Sequence, residues 1–343
     1  MITASTFERK IDTCEGADRN MIASDHESHP DQFIEPLSYN QMNETACYLC
    51  GSESEFQVLF PGEKSTRELR PEHIAARKGS INKEFSYNLV KCNRCGLVYA
   101  NPAPDADFLE QTYEQSDQGL YQDENYNIAW TYGRYLRRFA GLLNRRGVAL
   151  DVGAGDGFFL QELIDLGFQN VLGLEPSAEA CRRAKTGVSP FLLNQSFRES
   201  DFKPGSLDFI SCFQTLEHLP NPDRIVAGFH RLLAPGGMVY CVAHNFASWS
   251  VKVLGVRHPI INAGHLTLFD EETLKAFFEK HFNVLAVFKI ANRYSINYWI
   301  SLLPIPEHIK RTLIGTLTIS GLSTMPLTLS AGNIGLVAQK AIS

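Results

Sequence analysis

The stretch ALDVGAGDGFF, Ala149 to Phe159, holds the residues best placed to do chemistry. An apolar run ends at Asp151-Val152, then Gly153, Gly155 and Gly157 follow at alternate positions, and a second apolar run begins. Glycines in such a turn let the backbone fold back and approach a ligand with no Cβ in the way. Glu175 ends the next apolar run, 18 residues beyond Gly157, where a carboxylate can accept from both hydroxyls of a ribose. Groups that could move a proton lie further on. Glu217 and His218 in QTLEHL follow a strand-like run. His218 is the first candidate for a general base, the opposing reading being that the pair only caps the loop and orders the next helix. His265 in NAGHLTLFD is the second candidate, and His244 at the end of MVYCVAH the third.

Two cysteine pairs complete the set. Cys47-x-x-Cys50-Gly51 and Cys92-x-x-Cys95-Gly96 are matching knuckles, and two such turns close a tetrahedral zinc site. The 41 residues between the pairs exceed the usual spacing of roughly 15–20, which a ribbon hairpin with a long insert can span. Four cysteines leave no open position, so the metal is expected to be structural. A redox dithiol needs only one pair, beside a thioredoxin-like pattern that this chain lacks. Cys14, Cys181, Cys212 and Cys241 read as a leader thiol and core thiols.

These residues need elements to position them. Residues 1–45 carry nine acidic residues against three Lys/Arg with no apolar period, and read as a disordered leader. Residues 46–102 read as a ribbon of short strands with a knuckle at each end. Residues 103–146 read as a helical connector or cofactor lid, with Ile128, Tyr132, Tyr135, Leu136, Phe139 and Leu142 at helical spacing. From residue 147 to 343, apolar runs of strand length alternate with amphipathic helices, which predicts an α/β unit with a parallel sheet covered on both faces. An insertion is expected at about 291–331. Thr312 to Gln339 carries no charge, but Gly315, Gly321, Pro326 and Gly332 break it, so it reads as buried helix and strand rather than a membrane span.

The spacing G-x-G-x-G with Asp151 ahead of it differs from the G-x-G-x-x-G of a dinucleotide fold. It resembles motif I of class I S-adenosylmethionine-dependent methyltransferases. The resemblance extends over residues 125–340: EHLPNP resembles that family's segment after strand four, LLAPGG its turn before strand five, and GHLTLFDEETLKAFFEKHF the segment that follows in branches acting on small molecules and glycans. It implies a Rossmann-like, doubly wound, seven-stranded sheet, mostly parallel with one antiparallel strand. It also implies roles. Asp151, Gly153 and Gly155 surround the methionine part of the cofactor, with Gly157 completing the loop, and Glu175 binds the ribose. Ser196-Phe197 reaches the adenine where the family usually has an Asp, and Gln214 faces the sulfonium. A related quinone-methylating branch has a metal-binding Glu at the position of Gln214, so the Gln speaks against a catalytic divalent metal. The branch with an N-terminal zinc ribbon, including deoxysugar C-methyltransferases, resembles the cysteine arrangement.

The expected activity is therefore methyl transfer from S-adenosylmethionine to a small-molecule acceptor: a sugar, a nucleotide-linked sugar, or a glycan- or lipid-linked precursor. Rivals are an RNA-modifying methyltransferase using the zinc ribbon, and an NAD-dependent sugar-modifying enzyme. The net charge of −6 and the lack of a basic, aromatic surface pattern speak against nucleic acid. The N-terminal residues lack the apolar core of a signal peptide, and thiols for a metal suit a reducing cytoplasm. Peripheral contact with a lipid-linked substrate is compatible with this pattern.

Overall fold

The computed structural model describes residues 34–38, 41–62, 69–71, 87–115, 124–303 and 305–342. Its centre is a seven-stranded sheet in the order β10–β11–β8–β7–β4–β5–β6. The strands are β4 (Val148–Val152), β5 (Asn170–Glu175), β6 (Leu192–Asn194), β7 (Leu207–Phe213), β8 (Leu233–His244), β10 (Asn283–Ser295) and β11 (Pro326–Gln339). From β6 to β8 neighbours pair parallel, and β11 runs antiparallel to both β8 and β10. The mixed sheet with one reversed strand matches the expected fold.

Alternation along each strand sends successive side chains to opposite faces. On one face Leu150, Val152, Ile210 and Val239 meet Val226 and Phe229 of α5 (Pro222–Leu232) and Phe277 of α7 (Glu271–Glu279). On the other, Ala149, Phe209 and Tyr240 meet Tyr132 of α2 (Asn125–Leu136) and Phe159 of α3 (Phe158–Asp165). The sheet is thus buried on both sides, as parallel strands require. Its strand ends present the loops that carry Gly153, Glu175 and Gln214.

The cysteine-bearing ribbon does not stand apart. β1 (Phe56–Phe60), β2 (Leu89–Cys92) and β3 (Val98–Ala100) form an antiparallel sheet. Its fourth strand, β9 (Thr267–Leu268), comes from the loop before α7 and pairs with β3 through Val98–Leu268 and Tyr99–Thr267. Cys47, Val90 and Tyr99 share a core cluster with Phe269 and Phe277.

Two expectations change. Of the leader, residues 1–33 lie outside the described residues, but Ile34, Leu37 and Met42 are buried, and Asn43 exchanges backbone hydrogen bonds with Ala103. These apolar side chains are too sparse to show a period, yet they pack against the ribbon's Leu89 and Ala100. The uncharged stretch from Thr312 splits: Ile334 to Ala338 is buried in β11, whereas α9 (Glu307–Ile319) buries no residue. α9 follows α8 (Ile296–Ser301) at the end of the β10–β11 hairpin, away from the core. No helix among the described residues is long and apolar enough to cross a membrane.

Candidate active site and metal centre

The loop after β4 folds onto the end of β5. Gly153 N–H and Ala154 N–H both donate to the Leu174 carbonyl at 2.9 Å. Gly155 N–H donates to Glu175 Oε2 at 2.9 Å, and Ser177 N–H to Glu175 Oε1 at 2.8 Å. Gly153 holds φ +75°, and a Cβ there would stand 2.2 Å from Thr215 Oγ1, so no other residue fits. Burial pushes the Glu175 carboxyl above its usual value, opposed by its two amide donors.

A cavity of about 310 Å³ opens beside this loop. Gly153, Gly155, Glu175, Ser196, Phe197, Gln214, Thr215 and His218 all line it. Phe197 rests edge-on against Phe229, ring centres 5.3 Å apart, which gives the wall a fixed apolar shelf. Gln214 sits in the left-handed region at φ +49°, and its N–H donates to the Val242 carbonyl at 2.7 Å. A non-glycine residue held there is strained, and such strain collects at functional sites.

Asp151 and Gly157 are not on the wall. Asp151 is buried below the loop, accepts from Ser211 Oγ at 2.6 Å, and is pushed up to about 7 mainly by burial. It supports the loop rather than facing the cavity. Gly157, at φ +78°, starts α3.

His218 is half-buried on the wall. Its Nδ1 lies 2.7 Å from the Gly264 carbonyl, so that nitrogen carries the proton and donates. The Tyr113 hydroxyl stands 3.1 Å from the same nitrogen and donates to the same carbonyl at 3.3 Å. In a neutral ring Nε2 then keeps its lone pair. Burial pushes this imidazole down to about 4, so the ring is neutral at pH 7. The remaining candidates lie behind it. Glu217 is fully buried, and its Oε1 accepts the His244 N–H at 2.9 Å. His265 is buried, and its Nδ1 donates to the Ile260 carbonyl at 2.6 Å. The His265 ring lies tilted against its neighbours, its centre 4.6 Å from that of His218 and 5.1 Å from that of His244, whose Nδ1 is 3.0 Å from Asn333 Oδ1. Neither Glu217 nor His265 lines the cavity. Together they hold the loop that fixes His218, since Leu266 N–H donates to the Glu217 carbonyl at 2.8 Å.

Other wall residues carried no motif. Leu109 and Tyr113 come from α1 (Ala106–Glu114), and Ile128 and Tyr132 from α2. Glu110 and Arg198, also on the wall, pair at 2.9 Å. The helical period of 103–146 was the available signal, and it marks a covering helix without saying what it covers.

The four cysteines converge. Their sulfurs lie within 4.8 Å of one another, with Cys47–Cys95 at 3.4 Å and Cys50–Cys92 at 3.5 Å. A tetrahedron with metal–sulfur bonds of about 2.3 Å has edges of about 3.8 Å, so the set fits zinc. Gly51 and Gly96, at φ +70° and +81°, close the two knuckles by donating to the Cys47 and Cys92 carbonyls. Burial raises the Cys47 thiol to about 11 and Cys95 higher still, whereas at Cys92 burial is outweighed by backbone and thiol hydrogen bonds, which leave it lowered, so Cys47 and Cys95 become thiolates only beside a compensating cation. We expect mass spectrometry to find one zinc per chain, and Cys50→Ser to lose it. The melting temperature should then fall by about 10 °C or more. A metal-free chain of unchanged stability contradicts the assignment.

A family profile described as a methyltransferase domain matches residues 125–286. The ubiquinone biosynthesis O-methyltransferase of Klebsiella pneumoniae (strain 342) is 29% identical over 191 residues, covering 48% of this chain and 78% of that protein. The enzyme of the same description from Escherichia coli O9:H4 (strain HS) is 30% identical over 134 residues, covering 37% and 55%. A solved SAM-dependent methyltransferase from Archaeoglobus fulgidus superposes with a TM-score of 0.42 at 16% identity, covering 62% of this chain and 94% of its own.

Proposed function

We infer, from the premise that this chain is a class I S-adenosylmethionine-dependent methyltransferase, that it methylates a hydroxyl on a small apolar ring, with His218 taking the hydroxyl proton. The observation that carries this reading is the wall itself. His218, with Nδ1 held on the Gly264 carbonyl, lines the same cavity as Leu109, Tyr113, Ile128 and Leu219.

The wall fits the cofactor. Gly155 brings backbone close without a Cβ, Glu175 offers a carboxylate to the ribose, and Phe197 offers a face to the adenine. S-adenosylmethionine supplies a methyl group on sulfonium, which leaves as a neutral thioether takes back the electron pair. The chain's own residues align the acceptor oxygen with that methyl and exclude water. As the oxygen–carbon bond forms, the hydroxyl becomes strongly acidic, and Nε2 of His218 receives its proton. Gln214 sets the floor between the two ligands. The four cysteines hold zinc, which folds the ribbon and through β3 and β9 steadies the loop carrying Gly264. Thiolate ligands suit a reducing compartment, and we place the chain in the cytoplasm.

The description of the Klebsiella relative as a ubiquinone biosynthesis O-methyltransferase agrees with an apolar acceptor and an oxygen nucleophile. The sugar acceptor remains a second reading, favoured by the Glu110–Arg198 pair, which could meet hydroxyls. The apolar walls Leu109, Ile128 and Leu219 offer no partner to a sugar's hydroxyls, and each hydroxyl left unpaired there costs about 1–3 kcal/mol.

The pH profile tests the base. Tyr113, Glu217 and His265 are the titratable groups around His218. Burial lowers its folded pKa to about 4, so the base form persists above that value. We expect kcat/KM to stay flat from pH 7 to about 5; a midpoint near 6.5 contradicts the assignment. Stability carries two opposed contributions in this window. The lowered imidazoles lose stability as pH drops from about 6.5 towards 4, whereas Asp151 and Glu217, which burial raises to about 7, gain it as pH drops below 7.

A further inference from the structure

The insertion between β10 and β11 carries an apolar surface that the cavity does not use. α9 runs 13 residues with none buried, and Ile319 is 92% exposed. Its hydroxyls do not depend on water: those of Thr312, Thr316 and Thr318 donate to the carbonyls of His308, Thr312 and Ile314 at 2.9, 2.9 and 2.8 Å. A helix whose polar side chains are satisfied on its own backbone loses little when that face leaves water. Exposed apolar side chains recur on α6 (Trp249–Leu254), where Trp249 is 66% and Val253 73% exposed. Trp249 Nε1 donates to the Ser330 carbonyl at 3.3 Å and Trp299 Nε1 to that of Leu327 at 2.9 Å, tying α6 and α8 to the same hairpin end.

The charge of these segments is one-sided. Residues 246–269 and 296–339 hold Lys252, Arg257, Lys310 and Arg311 against Glu307 alone, a net +3 in a chain of net −6. The hairpin end that carries α8 also contacts α2, a helix that lines the cavity. Ser295, the cap of α8, donates its N–H to Glu124 Oε2 at 3.0 Å, next to Asn125 on the cavity wall.

We propose that this face docks onto an anionic lipid bilayer, with α9 and α6 lying in the boundary between headgroups and acyl chains and the basic residues on lipid phosphates. At 13 residues α9 lies on a bilayer, since a span needs about 20. A second copy of the chain accounts for the apolar residues but not the charge, because a two-fold pairing brings the same basic residues towards one another. The proposal does not depend on the acceptor reading.

The test is co-sedimentation of the full chain with vesicles of phosphatidylcholine alone or mixed equally with phosphatidylglycerol. We expect at least about tenfold more protein on the mixed vesicles, and about a tenfold loss in Ile319→Asp and separately in Val253→Asp. Lys310→Glu should cost roughly fivefold or more on mixed vesicles only. Both apolar positions are exposed, and unchanged calorimetric affinity for S-adenosylmethionine confirms that the variants fold. Absence of co-sedimentation, or equal binding to both vesicle types, overturns the proposal. So does a dimer in sedimentation equilibrium that Ile319→Asp dissociates while vesicles bind nothing. Methylation of a water-soluble acceptor without vesicles reads the cavity separately.

Discussion

Replacing His218 by alanine lowers turnover by about 10²- to 10⁴-fold, the usual range for a positioned base, with affinity for S-adenosylmethionine kept. The ring's proton is spent on Gly264 through Nδ1, so its one remaining function is the lone pair on Nε2. Alanine removes that lone pair and frees the Gly264 carbonyl, which Tyr113 still satisfies. His218→Asn separates chemistry from support, because its amide can still donate towards Gly264 but offers no nitrogen base. If the asparagine variant turns over normally while alanine does not, His218 is a positioning residue and the base lies elsewhere.

Glu175→Ala weakens S-adenosylmethionine binding by about 10²- to 10³-fold in calorimetry. Two hydrogen bonds from ribose hydroxyls to a carboxylate contribute about 1.5–3 kcal/mol each, and the Gly155 and Ser177 amides that orient the group lose their acceptor as well. Glu175→Gln is not a mild change, since its NH₂ would face one of those two N–H donors. Affinity within a factor of three of the unaltered chain contradicts the assignment. Asp151 differs: it is bonded to Ser211 away from the wall, so its loss acts on the fold beneath the loop.

The fold was legible because it is written in period and punctuation. Apolar runs of strand length between amphipathic helices announce a sheet covered on both faces, and the alternation of Ala149 and Leu150 between two cores follows from it. The glycines around Gly153 were legible because a positive φ and a close neighbour leave only glycine. The depth of a residue is not written locally. Asp151 stands beside the loop in sequence but under it in space, and His265 looks like an exposed loop residue until β9 pairs with β3 and closes over it. Tyr113 and Leu109 reach the wall because α1 packs across from His218, a contact spanning 105 residues that no local pattern reports. The second half of α9, from Thr312 to Ile319, carries no charge and turns its threonine hydroxyls onto its own carbonyls, yet it lies at the surface, so uncharged was not the same as inside.

Under the proposed function, the cavity places an apolar ring hydroxyl between His218 and the transferable methyl. Incubation with S-adenosylmethionine and an equimolar mixture of catechol-type phenols and nucleotide-linked sugars, followed by mass spectrometry of the products, tests this placement most directly. One added methyl on a phenol oxygen, abolished by His218→Ala, and no methylated sugar is the expected result. A methylated sugar with the phenols untouched contradicts it.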